Sequence, residues 1–193
     1  MSFKLKKSIA KRLFSIKKAW YKYVLSENKP VSAGKINQPV LFLGEGEIQI
    51  DKTVELGYFP SAYYYSGYIH LEARSRDAKL IIGAGTFLNN NSVIVAERAK
   101  ITIGKKCLIG TNFNCISSDF HGVDPNNRED YKSADISIGD NVFIGSNVTI
   151  LKGVSIGGGV CIASNSVVTK SFPPNAIIAG NPAKLIKIFE EKK

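Results

Sequence analysis

The stretch DFHGVD, residues 119–124, contains one of only two histidines among 193 residues. Histidine is the side chain that most often accepts a proton from a reacting group at neutral pH. His121 is therefore a candidate general base. Asp119, two residues earlier, is placed either to orient the imidazole or to bind a hydroxyl group, although an aspartate at this position can equally fix the loop through an Asx turn.

The other histidine and the cysteines offer less chemistry. His70 lies in the alternating segment YIHLEA, and we interpret it as a surface or packing residue. Cys107, Cys115 and Cys161 are odd in number and show no CxxC spacing, which is typical of small buried residues in a reduced cytosolic protein. No metal site is predicted, because nothing in this set resembles a zinc-binding pattern.

The segment from Ile136 reads ISIGDN VFIGSN VTILKG VSIGGG VCIASN SVVTKS, a repeat of six residues. The first and third positions are mostly aliphatic, as in a short strand with one buried face. The sixth position holds residue types that tolerate a left-handed backbone: Asn141, Asn147, Gly153, Gly159 and Asn165. Each hexad therefore predicts a strand and a corner, and three hexads predict one triangular coil of a solenoid.

The same register appears upstream with gaps from Leu80 and from Ile101, and a weaker copy begins at Ile48. The pattern is broken between Phe113 and Ile136, where residues 119–135 stand out. This interval is polar and has no aliphatic alternation. Long loops on a regular scaffold are usually functional. We interpret the interval as a loop extruded from a corner to present His121.

The N-terminal segment differs from the repeat in charge and in period. Residues 1–25 contain eight basic residues and no acidic residue, and so contribute +8 of the net charge of +10. An apolar stripe at helical spacing predicts an amphipathic helix with a Lys/Arg face: Leu5, Ile9, Leu13, Ile16, Trp20 and Val24. Three interpretations stay open: the helix packs on the oligomer or covers an acceptor site, it lies on an anionic membrane surface, or it is partly disordered.

These patterns predict a basic amphipathic helix over residues 1–28, a linker over 29–47, a repeat domain over 48–188 and a charged tail over 189–193. No stretch approaches the roughly 20 apolar residues of a membrane-spanning helix, and no secretory signal is expected. The main domain is close to neutral, which is not the charge distribution of a nucleic-acid-binding face.

The hexads and the tail SVVTKSFPPNAIIAGNPAKLI, with the histidine loop before them, resemble the hexapeptide-repeat acyltransferases over about residues 80–188. The similarity is greatest to the galactoside, maltose and xenobiotic acetyltransferases and to O-acetyltransferases of surface-polysaccharide gene clusters. The resemblance implies an all-β fold, a left-handed parallel β-helix, and a homotrimer with acyl-CoA in a groove between neighbouring prisms. Residues 1–47 carry no such signal.

The resemblance also implies roles for individual residues. His121 matches the family's catalytic histidine, and Asn90 in FLNNNS matches an asparagine that faces the acceptor, although all three asparagines there suit corners equally well. The coenzyme site would use Phe143, Ser146, Ser164, Thr169, Lys170 and Lys184. The family more often has a tryptophan at Phe143 and an arginine at Lys184. Either lysine alone is equally typical of a solvated surface charge.

The resulting function hypothesis is an acetyl-CoA-dependent O-acetyltransferase that acts on a saccharide hydroxyl in surface polysaccharide biosynthesis. It would work in the cytoplasm or at the inner face of the membrane, without a metal or nucleic acid. The alternatives are N-acetylation of an amino sugar or nucleotide sugar, and a non-catalytic β-helix scaffold. Metal-dependent hydration is set aside, because β-helical carbonic anhydrases need three histidine ligands and this chain has two histidines.

Overall fold

The computed structural model describes residues 3–189, with side chains from Leu5 onward. Beyond Phe189, the predicted charged tail lies outside the described residues. The chain begins with the helix α1, Phe3–Trp20, and one π-helical turn at Tyr21–Leu25 continues it. No helix within the described range is long and apolar enough to cross a membrane.

The rest of the described chain consists of short strands and corners. In chain order the strands are β1 (Ala33–Ile36), β2 (Val40–Leu43), β3 (Glu47–Leu56), β4 (Ile69–Ala73), β5 (Lys79–Ile82), β6 (Phe87–Leu88), β7 (Val93–Ala96), β8 (Lys100–Ile103), β9 (Leu108–Ile109), β10 (Asn114–Ile116), β11 (Ile136–Ile138), β12 (Phe143–Ile144), β13 (Thr149–Leu151), β14 (Ser155–Ile156), β15 (Cys161–Ile162), β16 (Val167–Val168), β17 (Ala176–Gly180) and β18 (Ala183–Ile188).

The strands form the three faces of a prism. The first face contains the N-terminal half of β3 with β5, β8, β11 and β14, and the second contains the C-terminal half of β3 with β6, β9, β12, β15 and β17. The third face is β2, β4, β7, β10, β13 and β16. All neighbours on these faces pair in parallel, and β18 closes the second face by antiparallel pairing with β17.

The core of the prism is made by the aliphatic positions of the repeat. Ile138 pairs with Ile156, and Ile144 pairs with Ile162, in each case one coil of eighteen residues further along the chain. All four are buried, as is Ile150 on the third face. The predicted hexad and its three-hexad coil are therefore confirmed, because each aliphatic side chain is covered by its equivalent in the next coil.

The corners also follow the prediction. Asn141, Asn147 and Asn165 have φ values of 57°, 59° and 63°, so asparagine supplies the left-handed conformation that each corner requires. At the corner between the second and third faces, the amides of Asn112, Asn147 and Asn165 also form a ladder of hydrogen bonds. Asn112 Nδ2 donates to Asn147 Oδ1 at 2.9 Å, and Asn147 Nδ2 donates to Asn165 Oδ1 at 3.1 Å.

The predicted linker over 29–47 contains two strands in the structure, and the first of them, β1, pairs in parallel with β3. β2 is the first strand of the third face, and its pairing with β4 places Phe42 beside Leu71. Val40 and Phe42 are buried in the same core as the hexads. The run VLFL lacks the asparagine or glycine spacing of the repeat, but it has the strand alternation that the end of the core requires.

Two insertions leave the prism, and they leave at different corners. The tyrosine segment, residues 58–68, connects the second face to the third between β3 and β4. The histidine loop, residues 117–135, connects the third face to the first between β10 and β11. The segment predicted as an extruded loop, residues 119–135, lies within this connection, which begins two residues earlier.

Candidate active site

The histidine loop is closed on itself by backbone hydrogen bonds. Asp119 N donates to Lys132 O at 3.1 Å, and Gly122 N donates to Arg128 O at 2.8 Å. A Cβ atom at Gly122 would lie 2.4 Å from Asn127 O and 2.6 Å from Asp130 O, which is closer than real Cβ contacts. Glycine at position 122 therefore lets the loop fold back directly after His121.

A group of charged side chains on the third face holds the loop from below. Arg74 Nε donates to Glu72 Oε1 at 2.6 Å, and the Arg74 guanidinium lies 4.5 Å from the centre of the Phe120 ring. Burial opposes ionisation of Glu72, but hydrogen bonds from Arg74 and His70 outweigh it and hold the pKa of that carboxyl below its usual value. The ring next to His121 thus rests on a cation that is fixed by a carboxylate.

A second buried carboxylate, Glu97, anchors the far end of the loop. The Tyr131 hydroxyl donates to Glu97 Oε1 at 3.2 Å, and Arg98 Nε lies 3.4 Å from the same oxygen. Its other oxygen, Oε2, is buried without a hydrogen bond and lies 4.0 Å from Arg74 Nε. Sequence reasoning missed this support, because Glu97 and Tyr131 are 34 residues apart and only the fold brings them together.

His121 itself is exposed and lines a cavity of about 600 Å³ with Arg98, Phe120, Arg128, Glu129 and Tyr131. Among the described residues, no hydrogen bond reaches its ring. Asp119 instead accepts a hydrogen bond of 2.7 Å from Lys152 Nζ, on the next coil. The Asp119 carboxylate is therefore paired with Lys152 in this structure, and its roles in orienting the imidazole or binding the acceptor stay predictions.

His70 lies on β4 and is mostly buried, as expected of a packing residue. Its Nε2 lies 2.8 Å from Glu72 Oε2, so it belongs to the support beneath the histidine loop. No group of three or more His, Cys, Asp or Glu residues able to hold a metal ion occurs in the described part of the chain. The expectation of a metal-free reaction stays a prediction.

Asn90 lies at the opposite corner and is fully buried. Its Oδ1 accepts from Tyr58 N at 2.9 Å, and its Nδ2 donates to Tyr58 O and to Ala62 O, both at 2.9 Å. The amide thus holds the tyrosine segment against the prism. Contact with an acceptor stays a prediction for Asn90, since its donor hydrogens already have protein partners in this structure.

Four of the six proposed coenzyme residues lie on the second face or at the corner that ends it. Phe143 is exposed on β12, and Lys184 is exposed on β18. Ser146 and Ser164 occupy equivalent positions one coil apart, and Ser146 N donates to Ser164 Oγ at 3.1 Å. An exposed aromatic ring beside stacked serines and a cation is suited to a nucleotide with phosphates.

The remaining two, Thr169 and Lys170, lie after β16 at the corner that also carries His121. Both are exposed, and Lys170 Nζ lies 5.7 Å from the centre of the Phe172 ring. The structure therefore divides the predicted site into two halves, one at each edge of the third face. A single chain does not bring His121 and Ser146 together.

The comparisons with known proteins agree with this architecture. The family described as bacterial transferase hexapeptide (six repeats) matches residues 135–170. The crystal structure of the polySia-specific acetyltransferase NeuO matches with a TM-score of 0.62 and 32% identity, over 80% of this chain and 68% of that one. The chain belongs to the hexapeptide-repeat acetyltransferases. Their fold is the left-handed β-helix that the resemblance implied.

Two further proteins are similar to this chain. A Vibrio cholerae hexapeptide-repeat acetyltransferase, solved in complex with acetyl-CoA, matches 98% of this chain and 91% of its own with a TM-score of 0.58 and 25% identity. The polysialic acid O-acetyltransferase of Escherichia coli O1:K1 is 39% identical over 115 residues, which are 58% of this chain and 38% of that protein. The chain spans less than two thirds of the length of the curated relatives it matches.

Proposed function

We propose that this protein transfers an acetyl group from acetyl-CoA to a hydroxyl group of a saccharide, with His121 as the general base. The observation that carries the proposal is an exposed histidine on a supported loop, where an otherwise regular repeat is interrupted. Support also comes from the acetyl-CoA complex of the Vibrio cholerae neighbour and from the O-acetyltransferase activity in the relative's name. Saccharides of surface polysaccharides are the proposed acceptors.

The chemistry needs one proton acceptor and one leaving group. The acceptor oxygen attacks the thioester carbonyl carbon while the neutral imidazole of His121 takes its proton. The tetrahedral adduct then collapses, the carbon–sulfur bond breaks, and the imidazolium returns the proton to the departing sulfur of coenzyme A. Because the imidazole has no hydrogen-bond partner within the described chain, both ring nitrogens stay open to the acceptor and to a neighbouring chain.

We propose a homotrimer, because the two halves of the site lie at different edges of the third face and only a second chain can close it. Phe143, Ser146, Ser164 and Lys184 of one chain would then face His121, Thr169 and Lys170 of the next. Light scattering checks the assembly. A stable monomer at micromolar concentration contradicts both the trimer and the shared site.

A complementation experiment tests the shared site directly. His121→Ala and Ser164→Trp each remove activity, the first from the base and the second by filling the coenzyme groove. Trimers that contain both kinds of chain regain activity if the site lies between chains, since one interface keeps both intact halves. Trimers that stay inactive after mixing place the whole site within one chain and overturn the arrangement.

Product chemistry separates O-acetylation from N-acetylation and from a scaffold. Acetyl-CoA is offered with neutral sugars, amino sugars and nucleotide sugars, and products are measured by mass spectrometry. An acetyl group that mild alkali removes is an ester and supports the proposal. An alkali-stable product on an amino sugar supports the N-acetyltransferase alternative, and the absence of any acceptor-dependent thioester turnover supports the scaffold.

We also propose that α1 holds the enzyme at an anionic membrane surface on the cytoplasmic side. Leu13, Ile16 and Trp20 are between half and two thirds exposed, with Arg12 on the same helix. Basic residues near an anionic membrane contribute roughly 1 kcal/mol each. Deletion of residues 1–25 is expected to abolish sedimentation with anionic vesicles and to spare turnover of a neutral soluble acceptor. Binding that is equal on neutral vesicles contradicts the proposal.

A further inference from the structure

The N-terminal helix turns its lysines, and not its apolar stripe, toward the rest of the chain. Lys7, Lys11, Phe14 and Lys18 follow one another at steps of four, three and four residues, so they share one face of α1. This face lines a cavity of about 480 Å³ against the tyrosine segment. That volume lies within the range of about 300–1,000 Å³ that is usual for small-molecule sites.

Aromatic rings form the opposite wall of this cavity. Phe14 is the only buried hydrophobic residue of α1 in the described part of the helix, and its ring centre lies 4.6 Å from Tyr64 and 5.1 Å from Tyr65. Phe59 packs edge-on against Tyr64 at 5.3 Å. Phe59 and Tyr65 are more than half exposed, so their ring surfaces remain available.

The cavity combines positive charge with ring faces, and none of the described residues that line it is acidic. Lys18 Nζ is 3.4 Å from Ile36 O and Lys17 Nζ is 3.2 Å from Tyr65 O, so the helix is hydrogen-bonded both to β1 and to the tyrosine segment. A lysine ammonium binds a carboxylate or phosphate as a point charge. An aromatic ring packs against the carbon-bound hydrogens of a pyranose. The two together suit a sugar that carries an anionic group.

The wall of the cavity is continuous with the corner of the proposed acceptor site. Asn90 holds the backbone of Tyr58 and Ala62, and Gln38 Nε2 donates to Tyr63 O from the other side. Both anchoring side chains are fully buried. The tyrosine segment is therefore a fixed surface between the prism and α1, at the same edge of the third face as Ser146.

We propose that this cavity binds an anionic saccharide, with Lys11 meeting its carboxylate or phosphate and Tyr65 packing on its ring. The inference rests on the proposed function in one respect, namely that the bound saccharide is the acceptor or an adjoining residue of it. The binding step itself needs neither acetyl-CoA nor turnover, so it is tested separately from the reaction.

The test measures saccharide binding to the full-length protein by calorimetry without acetyl-CoA. The probes are a hexuronic acid disaccharide, a hexose phosphate and a neutral disaccharide of the same size. Lys11→Gln is expected to weaken binding of the two anionic probes about fivefold to tenfold and to leave the neutral probe unchanged. Lys6→Gln removes the same charge from the same helix outside the cavity and is expected to change none of them.

Tyr65→Leu removes the ring but keeps an apolar side chain, and it is expected to weaken all three probes alike. Circular dichroism and light scattering verify that each variant keeps the fold and assembly of the parent protein. Equal affinity for charged and neutral probes, or an equal loss in Lys6→Gln and Lys11→Gln, overturns the proposal. Binding to coenzyme A alone that Lys11→Gln abolishes also overturns it, because the cavity would then hold the acyl donor.

Turnover distinguishes this inference from the proposed function. If the protein binds the hexuronate through Lys11 but acetylates no saccharide, the proposed binding site is supported and the proposed enzymatic function is contradicted. If the protein acetylates saccharides and Lys11→Gln leaves the KM for anionic acceptors unchanged, the proposed function is supported and the proposed binding site is contradicted.

Discussion

The tyrosine segment and the histidine loop are both insertions at corners of one prism, but they are fastened by different chemistry. Asn90 holds the tyrosine segment through a neutral amide whose hydrogen bonds are satisfied. Glu97 and Glu72 hold the histidine loop through carboxylates and arginines, and Glu97 Oε2 lacks a hydrogen bond. The tyrosine segment is therefore held by neutral hydrogen bonds. The histidine loop is held by charged side chains, and the His121 ring stays exposed.

The largest effect on activity is expected from His121, the exposed side chain of the histidine loop. His121→Ala removes the proposed proton acceptor, and general-base catalysis typically contributes about 10²–10⁴-fold. The kcat is expected to fall by that order at saturating acetyl-CoA and acceptor, with coenzyme affinity nearly unchanged. Lys170→Ala is the matched control, since it should weaken coenzyme binding with a smaller effect on kcat. If His121→Ala keeps most of its turnover, the loop has another role.

Asn90, the neutral side chain that holds the tyrosine segment, is expected to affect the local stability of that segment. Asn90→Ala removes the hydrogen-bond partner of Tyr58 N and of Ala62 O, whereas Tyr58 O keeps a hydrogen bond of 3.2 Å from Ser61 N. A buried group left unsatisfied costs about 1–3 kcal/mol. Hydrogen exchange should accelerate in residues 58–68 and stay slow in 119–133. In Asn90→Ser, which keeps one polar atom, the exchange rate of residues 58–68 should lie between those of the parent protein and Asn90→Ala. Unchanged exchange in the tyrosine segment contradicts the anchoring role.

Glu97, the charged side chain that holds the histidine loop, is expected to affect hydrogen exchange in that loop and not in the tyrosine segment. Glu97→Ala leaves Arg98 and the Tyr131 hydroxyl without their acceptor, and hydrogen exchange should accelerate in residues 119–133 alone. We expect a loss of about 1–2 kcal/mol, because both arginines near this carboxylate are about half exposed. Glu97→Gln keeps an acceptor for Tyr131 and separates the loss of the hydrogen bond from the loss of charge. A change in the tyrosine segment instead would contradict the independence of the two insertions.

The sequence predicts the prism better than it predicts the insertions. The hexads from Ile136 to Val168 fix strands, corners and burial because each coil repeats the same local environment. Asparagine at the sixth position was sufficient to locate left-handed corners. The supports of the two insertions escaped notice because Asn90 with Tyr58 and Glu97 with Tyr131 are over thirty residues apart. Their pairing depends on how many residues each coil adds.

The N-terminal helix shows a different limit of sequence reasoning. Its existence followed from the spacing of Leu5, Ile9 and Leu13, but the burial of a helix depends on what it meets. The structure buries Phe14 from the opposite face, because the ring of Tyr64 offers an aromatic partner there. Apolar spacing alone therefore predicted the helix correctly and did not reveal which face contacts the domain.

The smallest effect is expected in how the free energy of unfolding depends on pH through Glu72, one of the carboxylates that hold the histidine loop. The pKa of Glu72 is held below its ordinary value of 4.5, so its ionised form stabilises the folded chain. That contribution is complete above pH 4.5 and is lost as the pH falls through the lower pKa of the folded state. One carboxyl changes the free energy of unfolding by at most about 1.4 kcal/mol per pH unit. Denaturant unfolding between pH 3 and 6 should show a shallower loss for Glu72→Gln than for the parent, while Asn90→Ser should keep the parental slope, since an amide and a hydroxyl do not titrate in this range. Identical slopes for Glu72→Gln and the parent would show that the Glu72 carboxylate does not stabilise the loop by its charge.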